Sequence, residues 1–456
     1  MNLVYGIKDK PKFGQMLIFA FQQVLAILAA TITVPVIVGN GMSISAALLG
    51  AGIGTIVYQL FTKFRSPVFL GSSFAFIGPM LAAFAGATTV GYLGLILGAI
   101  FAGLVYVIIA LVVKFAGVNW INKIMPASVI GPTVALIGLS LAGAAVNDVF
   151  SYGPKTSFGL NSYFVMNTTA WVSLACALVT FAVVILCSTY GKKTAKLIPF
   201  IIGILSGYAV AGIFTIIGYQ TGNDALKVID IAPFTALTAN GVNLNTFFAV
   251  PEFTFVKALK VIDDFKPSYL ATVAVAYVPV AFVVFAEHLA DHKNLSSIIG
   301  EDLLENPGLH RTLLGDGVGS MVGAFFGGCP NTTYGESVGC VAITKNASVI
   351  TITTAAVMCI LISFLNPFVA FLDSIPGCVM GGVCITLYGF IAVSGLKMIQ
   401  KVNLEDNANL FTVSAILIPG IGGMAMGIGN VYITTTACAL ILGIIVNAVL
   451  SKGKKN

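Results

Sequence analysis

Long apolar runs broken by short charged clusters set the pattern of this chain. Charge-free stretches cover 13–62, 66–113, 124–147, 156–191, 197–223, 267–286, 317–335, 346–372, 374–396 and 407–451. A membrane-crossing helix needs about 20 predominantly apolar residues. The longest runs contain turn signals that divide them, such as Gly39-Asn40-Gly41 and Gly86-Ala87-Thr88-Thr89. The pattern predicts an all-α polytopic membrane protein with fourteen transmembrane segments, near 14–37, 43–62, 68–86, 91–113, 126–146, 167–188, 197–219, 267–290, 312–328, 330–345, 347–366, 374–396, 407–425 and 431–450. Segment 220–266 is the longest polar stretch and divides the spans into two sets of seven. Seven is odd, so a duplicated half inserts upside down. Such inverted repeats are a common transporter plan, with the substrate site at the midplane where helices break.

Composition agrees with a membrane setting: 58% of residues are hydrophobic and 9% charged, against about 25% charged in soluble domains. With both termini in the cytoplasm, 18 of the 23 basic residues fall in inside segments, and Lys155, Lys227, Lys257, Lys260 and Lys266 fall outside. The positive-inside rule favours this orientation. The net charge of +6 is therefore a topology signal spread over short loops, and a nucleic-acid partner is excluded. The first apolar run is far longer than the 7–15 residues of a signal-peptide core, so it is a span. Eight cysteines form no CxxC pair, which leaves them as small buried hydrophobes.

Two carboxylates stand where carboxylates are costly. Glu287 ends the run 267–286, and Glu336 follows the run 317–335. Charge in a membrane interior costs about 2.5–3.5 kcal/mol on insertion scales, so such residues tend to line a functional path. Two predicted spans also break in matching places, each the third of its half. One reads Gly71-Ser72-Ser73-Phe74-Ala75-Phe76-Ile77-Gly78-Pro79; the other reads Cys329-Pro330-Asn331-Thr332-Thr333-Tyr334-Gly335-Glu336. Each predicts an extended stretch joined to a helix, with Pro79 tolerated in the first turn. A helix start there offers backbone N–H groups and a partial positive charge. The plainer readings are helix-packing faces for the Gly/Ser stretches and a helix-capping role for Glu336.

Glu287 and Asp291 are spaced i, i+4 and share a helix face; His288 and His292 point elsewhere. No third ligand accompanies the histidines, so neither a metal nor a cofactor is expected, and His292 beside Lys293 reads as a cytoplasmic-end residue. Asp316 and Asp373 read as structural residues at span ends, and Glu301, Asp302 and Glu305 as part of a solvated loop helix. No HExxH motif is present, and the GxSxG match at Gly335-Glu336-Ser337-Val338-Gly339 has no catalytic-loop context, which argues against an enzyme.

Glu287-His288, the stretch from Asn331 to Glu336 and the stretch from Gly71 to Phe76 resemble the nucleobase–ascorbate transporter family, and within it the bacterial uracil permeases. Pro307-Gly308-Leu309-His310-Arg311 and Met380-Gly381-Gly382 also fit, and the likeness spans nearly the whole chain. The resemblance implies a core domain from 13–114 (spans 1–4) and 267–366 (spans 8–11), and a gate domain from 124–219 (spans 5–7) and 374–450 (spans 12–14). Segment 220–266 is then an extracellular connection. It further implies a proton-coupled homodimer in the bacterial cytoplasmic membrane, working by elevator-like movement of core against gate. By position, Glu287 and Glu336 match uracil-binding carboxylates, Phe74 and Gly335 match positions offering backbone N–H groups, and Ala30, Tyr334 and Tyr388 match pocket-lining positions. Uracil permeases often carry histidine four residues after the first glutamate. Here that place is Asp291, which with Glu287 is assigned to proton coupling.

Uracil suits such residues: carboxylates accept from its two N–H groups, and backbone N–H groups donate to its two carbonyls. The rival readings are a purine or xanthine permease of the same fold, an anion transporter, which two site carboxylates would repel, and a channel.

Overall fold

The computed structural model describes residues 3–85, 90–117, 120, 125–151, 153–158, 161–192, 194–239, 241–428 and 431–453. The predicted turn at 86–89 and the predicted cytoplasmic charges Lys123, Lys193, Lys454 and Lys455 lie outside them. Among the described residues, the helices of nine or more residues begin with α1 (Phe13–Val38), α2 (Ile44–Phe61), α3 (Ile77–Ala85), α4 (Gly91–Ala116), α5 (Ala127–Ser140), α6 (Thr168–Tyr190) and α7 (Pro199–Thr221). They continue with α8 (Pro267–Ile299), α9 (Leu309–Gly327), α10 (Gly335–Thr344), α11 (Val349–Ser363), α12 (Gly377–Ile399), α13 (Asn407–Ile421) and α14 (Thr435–Gly453). Eight helices among the described residues are long and apolar enough to cross a membrane, from Phe13–Val38 to Gly377–Ile399. The strands are short and pair as β1 (Leu70–Ser72) with β4 (Asn331–Thr333), β2 (Lys155–Phe158) with β3 (Asn161–Phe164), and β5 (Met426–Ile428) with β6 (Val431–Ile433).

Local sequence accounts for most helix ends. Gly39, Asn40 and Gly41 all take positive φ, which turns the chain sharply between α1 and α2, and the Ser43 hydroxyl then caps α2 by accepting from Ala46 N–H at 3.2 Å. Pro267 sits in the first turn of α8 and Gly300 closes that helix in the left-handed region. This helix is 33 residues long and runs nine positions past the predicted end at 290. Asp291, His292 and Lys293 read as a membrane exit, but charge does not stop a helix, and no glycine or proline intervenes before Gly300. Segment 220–266 is not structureless: it holds the short helices Ala232–Thr238, Leu244–Phe247 and Thr254–Leu259.

The chain forms two compact units. One comprises Met1–Ser140, Pro251–Ser363 and Ile391–Asn456; the other comprises Leu141–Val250 and Phe364–Phe390. In the second unit Gly382 meets α6 so closely that a Cβ there would lie 2.4 Å from the Ala177 carbonyl oxygen.

The first unit is organised by an equally close contact between α2 and α9. A Cβ on Gly50 would lie 2.4 Å from the Gly323 carbonyl oxygen, and one on Gly327 would lie 2.4 Å from the Ala46 carbonyl oxygen. Without a hydrophobic driving force between helices in lipid, small residues of this kind let backbones approach and gain dispersion contacts. Asn331 fills the remaining slot, with its Nδ2 at 2.4 Å from a Cβ position on Gly54 and 2.2 Å from one on Gly323. That amide donates to the Gly50 carbonyl at 3.0 Å. Gly323→Val therefore forces both α2 and Asn331 to move; overpacking costs about 1–3 kcal/mol and more where backbone must yield. The expected result is a lower midpoint of thermal unfolding for the purified variant in detergent.

The extreme N-terminus is also tied down. Tyr5 bridges to Asn346, Ala347 N–H donates to the Tyr5 carbonyl at 2.9 Å, and Val349 N–H to that of Ile7 at 3.1 Å. Ile7 thereby joins Tyr58, Leu70, Leu295 and Val338 in a buried apolar cluster beside α10.

Candidate functional site

The site grows from the two predicted breaks, which the fold brings together. β1 and β4 pair antiparallel, with Leu70 opposite Thr333, Gly71 opposite Thr332 and Ser72 opposite Asn331. Each strand runs directly into a helix: β1 into a 3-10 turn over Phe74–Phe76 and then α3, β4 through Tyr334 into α10. The two helix starts thus leave opposite ends of a three-residue ladder. Pro79 falls in the first turn of α3, as its missing N–H requires.

Strand backbone buried at this depth needs partners for its polar groups, and side chains on neighbouring helices supply them. Leu70 N–H donates to the Thr55 hydroxyl at 2.9 Å, and Phe69 N–H to the Ser337 hydroxyl at 3.0 Å. Beyond the ladder, Ser73 N–H donates to the Pro330 carbonyl at 2.9 Å and Tyr334 N–H to that of Phe69 at 3.2 Å.

The carboxylates lie around the start of α10. Glu336 is the second residue of that helix, where a negative charge is favoured by the helix dipole. Glu287 and Asp291 are both half-buried, while His288 and His292 on the other side of α8 are buried. Asp291 accepts a hydrogen bond from the Thr333 hydroxyl at 2.8 Å, and its Oδ1 lies 3.8 Å from the Cβ position of Gly335. Glu287 and Asp291 are each within electrostatic range of Glu336. Among the described residues, no lysine, arginine or histidine forms an ion pair with any of these three; the ion pairs are Lys227–Asp224, Lys257–Glu252 and His288–Asp316. Partly accessible carboxylates without cationic partners, next to a helix start, make a place that accepts hydrogen bonds from a polar neutral molecule.

The other predicted site residues divide. Phe74 begins the 3-10 turn and is half-buried. Ala30 is buried in α1, which packs on α10 and donates from Gln23 Nε2 to the Ser337 carbonyl at 3.4 Å. Tyr334 is buried; its hydroxyl donates to the Ser72 carbonyl at 2.7 Å, and a Cβ on Gly71 would lie 2.3 Å from its ring. Tyr334 therefore fastens the two strands to each other, and Gly71 is the residue that leaves room for its ring. Tyr388 belongs to the second unit, where it is buried in α12.

Several residues around the site escape a reading of the sequence. His292, expected at a cytoplasmic surface, is 1% exposed and bonds the Tyr58 hydroxyl at 2.7 Å. Asp316, expected at a span end, is fully buried in α9 with His288 Nδ1 at 2.7 Å from its Oδ2. Its setting, Gly315-Asp316-Gly317 beside a charge-free run, was the available signal.

Eight helices long and apolar enough to cross a membrane among the described residues fit a multi-pass membrane protein, and the relatives that follow are permeases. The chain belongs to the permease family, whose model matches residues 14–428. It is 38% identical to the uracil permease of Bacillus subtilis (strain 168) over 457 residues, 99% of this chain and 96% of that protein. It is 33% identical to the uracil permease of Escherichia coli (strain K12), over 96% of this chain and 92% of that protein. The resemblance to uracil permeases read from the motifs thus extends over almost the whole length. Among solved structures, the fold is similar to the transmembrane domain of the cyanobacterial bicarbonate transporter BicA, with a TM-score of 0.61 at 16% identity, covering 98% of this chain and 100% of that one. It is also similar to SLC26A9, with a TM-score of 0.63 at 12% identity, covering 97% of this chain and 66% of that one.

Proposed function

We propose that this protein imports uracil in symport with protons. The observation that carries the reading is the ladder of β1 and β4, which sets a helix start beside Glu287, Asp291 and Glu336. Uracil is flat and neutral, with two N–H donors and two carbonyl acceptors. Glu287 and Glu336 accept from the N–H groups, and backbone N–H groups near Phe74 and Gly335 donate to the carbonyls. Ala30 and Tyr334 lie beside the ring. Glu287, with Asp291, takes up the coupling proton.

The relatives named uracil permease support the substrate, and the antiparallel strand pair at matching places in the two halves supports an inverted repeat. In this reading the chain has fourteen spans in two inverted sets of seven. Core spans 1–4 and 8–11 move against gate spans 5–7 and 12–14. The protein is a homodimer in the bacterial cytoplasmic membrane with both termini inside. Three carboxylates at one place oppose an anionic substrate, although one solved structure of similar fold is that of a bicarbonate transporter by title.

The test is uptake of labelled uracil by cells lacking their own permease. The expected result is saturable uptake that cytosine does not inhibit, since cytosine lacks the N3–H that a carboxylate requires; an unpaired buried partner costs about 1–3 kcal/mol. Uptake of xanthine in place of uracil would replace the substrate assignment and keep the family.

A further inference from the structure

Next to the proposed site, and outside the residues assigned to it, lies a buried pair, His288 and Asp316, 0% and 1% exposed. His288 Nδ1 is 2.7 Å from Asp316 Oδ2, and its Nε2 is 3.0 Å from the Thr312 hydroxyl oxygen. The Thr312 hydroxyl has one proton, and it donates to the Leu309 carbonyl at 3.0 Å. Held there, the hydroxyl oxygen accepts from His288 Nε2; turned toward the ring, the hydroxyl donates to Nε2 instead. Asp316 Oδ2 facing Nδ1 also needs a hydrogen between the two atoms. With the hydroxyl on the Leu309 carbonyl, the hydrogen bonds hold one proton more than neutral histidine and ionised aspartate.

Charge leads to the same count. An ionised Asp316 beside a neutral imidazole would be a negative charge in the interior without a cation, met by His288 Nδ1 and the Thr333 backbone N–H. No lysine or arginine pairs with it among the described residues. The groups near the pair are anionic or neutral: Glu287 and Asp291 on α8, Tyr106 on α4 and Tyr58 on α2. An uncompensated buried charge is strongly destabilising, and a neutral pair is not. His292 differs. Its Nδ1 donates to the His288 carbonyl at 2.8 Å, and its Nε2 meets the Tyr58 hydroxyl, which also lies 2.7 Å from Ser66 Oγ; with Ser66 donating to Tyr58 and Tyr58 to Nε2, a neutral ring is satisfied.

We propose that the His288–Asp316 pair is a proton-binding site, holding one shared proton in a net-neutral unit, and that this proton enters the transport cycle. The site lies on the same helix as Glu287, one residue away, and joins α8 to α9. The proton comes from water and returns to water, so only N–H and O–H bonds change. The proton count stands on the hydrogen bonds and burial; its use in transport rests on the symport reading above.

The chain has three histidines, His288, His292 and His310, so nitrogen-15 labelling of histidine gives three resolvable rings. His310→Gln and His292→Gln assign them. The expected spectrum of the intact protein in bilayers at neutral pH shows His288 Nε2 protonated, and His292 protonated on Nδ1 alone. An unprotonated His288 Nε2 overturns the proposal, whatever the protein transports. The second experiment uses Asp316→Asn, which cannot share the proton. Uphill uracil accumulation should fall to simple equilibration, while exchange of labelled for unlabelled uracil persists. Loss of both in a variant that still folds would make the pair structural. Accumulation at the normal level would overturn its use in coupling.

Discussion

Glu336→Ala abolishes uracil binding while the purified protein keeps its elution profile and thermal stability. Glu336 is half-buried at the start of α10 and makes no ion pair among the described residues, so little of the fold depends on it beyond a favourable helix-dipole contact worth about 0.3–1 kcal/mol. The ligand loses much more. A hydrogen bond to a charged group contributes about 1.5–3 kcal/mol, and the vacated N–H partner on uracil would stay buried and unpaired. Together these weaken binding by more than about a hundredfold. Calorimetry or labelled-uracil binding to the purified protein reads the loss directly. Binding at the wild-type level in a folded variant would remove Glu336 from the site.

Glu287→Gln separates binding from coupling. Glutamine keeps the size and one acceptor oxygen of the protonated acid but cannot exchange a proton. Because Glu287 faces no cation among the described residues, the change leaves no positive charge orphaned and the variant folds. Uracil exchange across the membrane should continue, and accumulation against a gradient should cease. The pH dependence of uptake should weaken at the same time, since one of the titrating groups is gone. Uphill accumulation by this variant would place the coupling proton elsewhere.

The sequence made the site legible through punctuation. Glycine, serine and proline at 71–79, and the same kinds of residue at 329–335, cannot continue an apolar helix cheaply, and a glutamate beside them has few structural uses in a membrane. The antiparallel ladder between these stretches could be expected only in outline, because its register depends on packing from α2 and α9. Asn331 illustrates the limit. Its amide is held between Gly54 and Gly323, residues far apart in the chain that no periodicity pairs. The His288–Asp316 contact spans 28 positions and was hidden for the same reason. Tyr334 was visible as an aromatic beside the site, but its hydrogen bond to Ser72 and its fit over Gly71 belong to the folded strands. The true length of α8 was obscured by a different rule: charged residues signal the edge of a membrane, whereas only Gly300 signals the end of the helix.

The most direct test of the account is uptake of labelled uracil into liposomes containing only this protein, with an acidic exterior and a neutral interior, with and without a protonophore. Uracil should rise above its equilibrium level inside the vesicles and fall back when the protonophore dissipates the gradient. Uptake that reaches equilibrium and no further, unchanged by the protonophore, would contradict proton symport.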